Sequence, residues 1–325
     1  MAIFQADKAV LLAKAESNYG VDPSPTGANL VLAHDVKVDP AGIEAKRDAP
    51  LSVEGKLPSE MYEGPVKVSF KTHLFAAAAP VGSHALAALF AAASMAESAI
   101  TGGKKYTLAV AADGATPSVC FYFYHGGRFY KALGCCGSLK VNAKAGELFE
   151  LEWEFTGRWA ATDVTDTAFP SLASMPTIGA PVRFVSATMT MTRVPDGVSY
   201  PATVMAAANS VVDFGQKVIG VKDPAAVDGV ARYWVESFET KASIDPQTAA
   251  LADFNPFTAA GWKHMWQLDV DVVVATVHHH IIVTYMQLLW PKPGERDGLQ
   301  TYALEAVGRA ADEAAGYVAS IQFNT

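Results

Sequence analysis

The stretch FELEWEFT at residues 149–156 alternates between apolar and polar side chains without an exception. Its polar positions include three glutamates, Glu150, Glu152 and Glu154, and its apolar positions lie between them. Successive side chains of a β-strand point to opposite faces, so this alternation predicts one strand with a buried apolar face and an exposed acidic face. The prediction of the fold starts from this strand.

Three further runs near this strand show the same two-residue period. They are SVCFYFY at residues 118–124, RFYKAL at 128–133 and SLKVNA at 138–143. The tripeptide HGG at 125–127 and the segment KAGE at 144–147 supply glycines for the tight turns between them. Four strands joined by short turns predict an antiparallel meander.

The rest of the chain also favours a mainly β, antiparallel fold, treated as a single domain over residues 1–325 because no linker or internal repeat divides it. Helical spacing predicts a short amphipathic helix at 4–16 and a flanking helix at 83–99 with Ser83 as its N-cap. Prolines predict an extended arm at 39–61, and a Thr-, Ser-, Pro- and Gly-rich composition predicts a loop at 160–181.

The composition limits the class of partner. Charged residues make up 18% of the 325 residues, against about 25% in a typical soluble protein. We interpret this as a surface largely covered by partner subunits, with an alanine-rich composition as the alternative explanation. The formal net charge is −8 and no basic stripe occurs, so the sequence lacks the electrostatic signature of nucleic-acid binding.

The sequence shows no strong signal for disulfide formation, secretion or membrane insertion. The three cysteines, two of them adjacent at Cys135 and Cys136, do not form a disulfide framework and suggest a reducing compartment. The N-terminus lacks the pattern of a signal peptide. Residues 74–95 are nearly uncharged, but Pro80 interrupts them and most are alanine, so we expect no membrane span there.

The run His278-His279-His280 is the strongest candidate for metal chemistry. On a strand, His278 and His280 share one face, so at most two of the three could bind one ion, and zinc would need further ligands. His264 and Asp269 are the nearest other candidates in sequence. We favour structural histidines at a strand surface or subunit contact, with a metal-dependent β-sandwich enzyme as the alternative.

The acidic side of residues 149–156 has two interpretations. Alternate residues on a strand lie about 7 Å apart on one side, whereas the paired carboxylates of glycosidases flank a sugar from opposite sides. Glu150, Glu152 and Glu154 therefore form either an ordinary solvated face or the acidic wall of a channel. No nucleophile elbow, zinc-protease, dinucleotide or phosphate-loop motif is present, and we predict no catalytic residue, cofactor or metal ion.

The order of several motifs resembles the tail tube (major tail) proteins of long-tailed bacteriophages. The chain opens with LAKAESNYGVDP at residues 12–23, where the family has a helix followed by a Tyr-Gly-x-Asp-Pro turn. The segment AGE at 145–147, leading into LEWEFTG at 151–157, is the closest match. Further similar segments are APVG at 79–82, FYKALGCCGSL at 129–139, DFG at 213–215 and RDGLQTY at 296–302. The segment at 194–207 and the histidine-rich strand depart from the family pattern.

The resemblance implies a β-sandwich or barrel with a flanking helix and a structural, non-enzymatic role in the virion tail. It further implies assembly in the bacterial host cytoplasm, contacts with other tail proteins, and hexameric rings stacked into a tube through which DNA passes. On this hypothesis Glu150, Glu152 and Glu154 line the lumen, and segments 39–61 and 160–181 bridge subunits or rings. A decoration or baseplate subunit is the alternative within the virion.

Overall fold

The structure is a computed structural model, and antiparallel β-strands dominate it. It describes residues 9–46, 58–76, 84–110, 116–176, 179–194, 199–200, 205–226, 229–247, 250–251, 253–260, 265–274, 276–309 and 318–325. No helix in these ranges is long and apolar enough to cross a membrane. The prediction of a mainly β, antiparallel fold is confirmed.

The elements follow one another along the chain in this order. The first half contains β1 (Ala9–Ala15), β2 (Leu30–Val31), β3 (Ala33–Ala45), β4 (Glu60–His73), α1 (Ala87–Ala92), β5 (Met95–Ile100), β6 (Gly103–Leu108), β7 (Val119–His125), β8 (Arg128–Lys144), β9 (Glu150–Arg158) and β10 (Thr165–Asp166). The second half contains β11 (Thr188–Val194), β12 (Ser199–Tyr200), β13 (Ala207–Asp213), β14 (Gln216–Lys222), β15 (Val230–Phe238), β16 (Lys241–Pro246), α2 (Pro256–Ala259), β17 (Met265–Val274), β18 (Val277–Leu288), β19 (Lys292–Arg296), β20 (Leu299–Gly308) and β21 (Ala319–Asn324).

Seven of these strands form one continuous antiparallel surface, which we call the long sheet. Its order is β3–β4–β9–β8–β13–β16–β20, and each neighbouring pair is hydrogen-bonded along an antiparallel register. One face of the long sheet is apolar and buried. Its members include Val66, Val68, Phe70, Leu139, Val141, Leu151, Trp153, Phe155, Val212, Ile244 and Leu304.

Other strands and α1 cover this apolar face. The rings of Phe70 and Phe121, on β4 and β7, lie 5.7 Å apart, and Phe90 on α1 lies 5.5 Å from Trp153. Farther along the sheet, side chains of β11, β17 and β18 meet those of β16 and β20 around a small apolar cavity. Burial of this apolar face is the main stabilising contribution, because apolar area removed from water drives folding.

The predicted meander is present, with one correction. The runs at 128–133 and 138–143 are not two strands but parts of the single strand β8, which pairs with β7 first and with β9 and β13 later. Gly134 has φ +61° within a register shift between Leu133 and Cys136. A side chain at Gly134 would collide with the ring of Tyr19, so only glycine permits this bend.

The flanking helix is shorter than predicted. It covers only Ala87–Ala92, and residues 95–100 form strand β5 instead of completing a helix to residue 99. Ser94 takes φ +59° and donates its hydroxyl to the carbonyl of Ala109, which turns the chain into the β5–β6 hairpin. The predicted buried side of the helix is confirmed, because Leu86, Leu89, Phe90 and Ala93 are all buried. Ser83 lies outside the described residues.

Two other predicted segments also differ from the structure. The predicted helix at 4–16 is wrong over its described part, since residues 9–15 form strand β1 paired with β7. The predicted irregular arm at 39–61 is in its described part a β-hairpin, because β3 and β4 remain paired out to Ala45 and Glu60. Residues 47–57 lie outside the described part of the chain. In its described part, segment 160–181 is mostly irregular, as predicted, with a short 3₁₀ turn at Ala161–Asp163 and the two-residue strand β10.

Candidate functional site

The exposed face of β9 is the centre of the candidate site. Glu150, Glu152 and Glu154 point away from the core, while the alternate residues of β9 are buried, as the sequence predicted. Strands β4 and β8 flank β9, and the register places Lys71 and Lys140 directly opposite Glu152 on its two sides. The three glutamates therefore lie between two strands that carry lysines.

Each glutamate forms an ion pair with a lysine of a neighbouring strand. Lys71 Nζ lies 2.8 Å from Glu150 Oε1 and 3.1 Å from Glu152 Oε1, and so it is shared between two carboxylates. Lys140 Nζ lies 3.2 Å from Glu152 Oε2. Lys67 Nζ lies 3.3 Å from Glu154 Oε1 in a more exposed pair. The face is therefore charge-paired rather than uniformly acidic.

The pKa values follow from these contacts. Burial alone would raise the pKa of Glu152, but the hydrogen bonds from Lys71 and Lys140 outweigh it and hold the pKa below its usual range. The pKa of Glu150 is lowered in the same way, by Lys71 and His34 acting against burial. The two carboxylates raise the pKa of Lys71 to about 12. Glu150, Glu152 and Lys71 are therefore ionised at neutral pH.

The charge-paired face continues across the long sheet. Beside β9 it forms an open depression whose lining includes Asp35, Lys37, Ser69 and Asp213. At the far strands, Lys241 on β16 and Glu305 on β20 extend it, and Glu305 pairs with Lys292 at 3.0 Å. We call this seven-strand surface the polar face.

The histidine run lies on a different sheet surface, the β17–β18 hairpin. His278 and His280 share one face, as the sequence predicted, and this face points outward, whereas His279 points inward and is buried. Burial lowers the pKa of His279. A hydrogen bond to Asp269 raises the pKa of His280 against the opposing effect of burial. His264 lies outside the described residues.

Sequence reasoning missed two groups of partners. It did not identify Lys67, Lys71 and Lys140 as partners of the glutamates, and it did not single out Asp271, whose Oδ2 lies 2.8 Å from His278 Nδ1. The alternation in each strand was visible, but the register that brings the strands together is not local.

The adjacent cysteines are buried and free, and burial raises the pKa of the Cys136 thiol to about 12.

Comparison with known protein families identifies the family of this chain. A family model described as phage tail tube protein matches residues 6–254. The chain belongs to this phage tail tube family. Comparison with curated proteins finds no match.

Membership of the tail tube family makes this a structural component of a virion tail, which assembles with itself and with other tail proteins. The match includes six strands of the long sheet, from β3 to β16, and with them all three glutamates of β9. It ends before β17, so the β17–β18 hairpin with its histidines lies beyond the part that the family model matches.

Proposed function

We propose that six copies of this tail tube protein close into a ring, and that the rings stack into a hollow tube for DNA passage. The polar face lines the lumen, with Glu150, Glu152 and Glu154 near its middle. Assembly takes place in the bacterial host cytoplasm, and the finished tube contacts other tail proteins. The role is structural, without a catalytic step.

The main support for this proposal is the difference between the two faces of the long sheet. One of its faces is buried by the rest of the chain, and the other is a broad surface of paired opposite charges. DNA affinity comes largely from lysines and arginines that neutralise phosphates. Lysines already paired with glutamates present little net positive charge, which suits a wall along which DNA must slide.

The edge of the long sheet supports ring closure. Among the described strands, β3 pairs with β4 alone, so its outer edge carries backbone groups that a neighbouring subunit can cover. Exposed edges of long strands are otherwise sites of uncontrolled association. A head-to-tail contact that closes on itself gives a ring of defined size.

The predicted bridging segments expose large apolar side chains. On the β3–β4 hairpin, Ile43, Met61 and Tyr62 are 42%, 67% and 52% exposed. Segment 160–181 likewise exposes Phe169 and Met175. Apolar surface of this kind is typical of protein contacts, and we propose that both segments bridge subunits or rings.

The assembly itself is tested by negative-stain electron microscopy over a protein concentration series. We expect end-on views with six subunits and side views of hollow tubes. Discrete particles of another symmetry, without tubes, would favour a decoration or baseplate subunit. A chain that stays monomeric at high concentration, even with tail initiator proteins present, would contradict the proposal.

The position of the polar face is tested separately by labelling. Ser69 lies on the polar face, while Thr190 lies on the outward side of β11, and both are half-buried. The native cysteines are buried, so a maleimide–gold probe should label only an introduced thiol. In tubes of the Ser69→Cys variant we expect gold on the tube axis, and with Thr190→Cys away from it. Gold from Ser69→Cys on the outer wall would contradict a lumenal polar face without affecting the tube.

The bridging role of the hairpin is tested by a matched pair of triple variants. Ile43→Ser, Met61→Ser and Tyr62→Ser remove the exposed apolar surface, whereas Ile43→Val, Met61→Leu and Tyr62→Phe retain it. We expect the serine variant to give a folded subunit, by circular dichroism, that does not form tubes. Normal tubes from the serine variant would show that this hairpin does not bridge subunits.

A further inference from the structure

The outward side of the β17–β18 hairpin brings two histidines and two aspartates together. In the antiparallel register Asp271 lies directly opposite His280, and His278 lies two residues before His280 in β18, on the same face. The imidazole rings of His278 and His280 are stacked, with their centres 5.6 Å apart. A nitrogen of each histidine and an oxygen of Asp271 all lie within 4.8 Å of one another.

Asp269 fixes the orientation of His280. Its Oδ1 lies 3.0 Å from His280 Nδ1 and accepts the proton of that nitrogen. In the neutral imidazole the lone pair is then on Nε2, which faces Asp271 Oδ1 at 3.8 Å. Metal-binding histidines usually donate one ring N–H to a carboxylate or a similar acceptor. This hydrogen bond orients the ring and leaves the other nitrogen free to bind the ion.

The oxygen facing this lone pair makes an ion pair only when His280 is protonated. Asp271 Oδ1 is buried and has no hydrogen-bond partner within the described part of the chain. A second such atom, Asn324 Oδ1, belongs to the residue that β21 places opposite His278. Buried polar atoms without partners are costly and call for an explanation, such as an ion.

We propose that Asp271, His278 and His280 bind a divalent transition-metal ion, with Zn²⁺ the best chemical match. Two imidazole nitrogens and one carboxylate oxygen form a donor set that zinc accepts and that Mg²⁺ and Ca²⁺ disfavour. Tetrahedral ligands at zinc distances lie about 3.4 Å apart. In the structure His278 Nδ1 lies 2.8 Å from Asp271 Oδ2, so binding an ion requires the His278 side chain, which is 40% exposed, to turn from this contact toward the ion. A water molecule completes the coordination.

A bound ion here differs from the sequence-based expectation of no metal, and its binding does not depend on tube formation. The competing explanation is a doubly protonated His280 held between Asp269 and Asp271. In that arrangement Nε2 would face Asp271 Oδ1 at 3.8 Å, which is an ion pair without a hydrogen bond, and the buried oxygen would still have no hydrogen-bond partner in the described part of the chain. The proposed role of the ion is structural, tying β17 to β18 beyond the part of the chain matched by the family model.

The test uses the full chain without a polyhistidine tag, stripped with chelator and titrated with Zn²⁺ by calorimetry. We expect one Zn²⁺ per chain, confirmed by elemental analysis, and a rise in Tm, because an ion that binds only the folded state stabilises it. Mg²⁺ at the same concentration should give no heat of binding. An unmetallated wild-type chain with no affinity for Zn²⁺ would overturn the proposal in favour of the protonated histidine.

Variants assign the binding to these residues. His280→Gln should weaken Zn²⁺ binding by at least about 100-fold, and Asp271→Asn, which keeps the shape of the side chain, should also weaken it. His125→Gln, at the tip of the β7–β8 hairpin, is the control and should bind as wild type does. Circular dichroism of the metal-free variants checks that they fold. Equal binding by folded His280→Gln or Asp271→Asn would place the ion elsewhere and reject this site.

Discussion

The polar face around β9 and the outward face of the β17–β18 hairpin both place carboxylates opposite bases on a neighbouring antiparallel strand. On the polar face the base is lysine, as in the pair of Lys71 with Glu152. On the hairpin the base is histidine, as in His280, which lies directly opposite Asp271 and is hydrogen-bonded to Asp269. The two surfaces therefore share a backbone plan and differ in one functional group.

That one group decides what each surface can do. A lysine ammonium only donates hydrogen bonds, and with a pKa near 12 Lys71 stays charged, so it neutralises the glutamates and offers nothing to a metal ion. A neutral imidazole has a donor on one side and a lone pair on the other, so it can be held by Asp269 and still bind an ion. Paired charges suit a surface that does not bind a ligand tightly, whereas the two imidazoles suit the binding of a metal ion.

The largest expected effect separates the two sides of β9 itself. Trp153 is buried and donates its indole N–H to Thr72 Oγ1 at 2.9 Å. Trp153→Ala should lower the free energy of unfolding by about 3–5 kcal/mol through lost packing and a cavity. The neighbouring Glu154→Ala, on the polar face, should change it by less than about 1 kcal/mol. Urea denaturation measures both, and similar losses would contradict the assignment of inside and outside.

The next effect sharpens the difference between the two kinds of base. Asp269→Asn keeps the shape of the side chain but removes the carboxylate that orients His280. Loss of such a supporting group should weaken Zn²⁺ binding by about 10–100-fold. Glu154→Gln, an equivalent change on the polar face, should leave Zn²⁺ affinity unchanged. Calorimetry compares them, and unchanged affinity in Asp269→Asn would mean that the carboxylate does not position the histidine.

A smaller effect tests whether the lysines stabilise the polar face. Lys71 is shared by two glutamates, so Lys71→Met leaves Glu150 and Glu152 with fewer partners. Because these side chains are partly solvated, we expect a loss of only about 0.5–1 kcal/mol in the free energy of unfolding at pH 7 and low salt. Lys67→Met, which removes a more exposed pair, should cost less. Equal losses in urea denaturation would show that the sharing of Lys71 between two glutamates adds no stability.

The smallest effect is the response of the polar face to acid. The pKa values of Glu150 and Glu152 lie below the ordinary value of 4.5 in the folded chain. Their contribution to stability is therefore fully present above pH 4.5 and is lost as the pH falls through the folded-state values. Urea midpoints at successive pH values should show a smaller acid loss in Glu152→Gln than in the wild type. An identical pH profile would mean that Glu152 has the same pKa in both states.

Local sequence predicted what depends on one strand alone. The period of residues 149–156 identified the buried and exposed sides of β9, and the period at 278–280 placed His278 and His280 on one face. It failed where distant pairing decides the structure. Val10, Leu11 and Leu12 suit a helix or a strand, and pairing of β1 with β7, more than 100 residues away, selects the strand. The lysine partners and Asp271 required the register between strands, which no short window of sequence contains.

Strand β8 has a consequence for the dynamics of the subunit. Its first half is hydrogen-bonded to β7 and β10, and its second half lies between β9 and β13. An opening that exposes the amide groups of Lys140–Asn142, where β9 and β13 both pair with β8, must therefore separate β8 from strands on both sides. Local openings of edge strands and hairpin tips need no such separation. The amide protons of Lys140–Asn142 should accordingly be among the last in the protein to exchange with deuterated water.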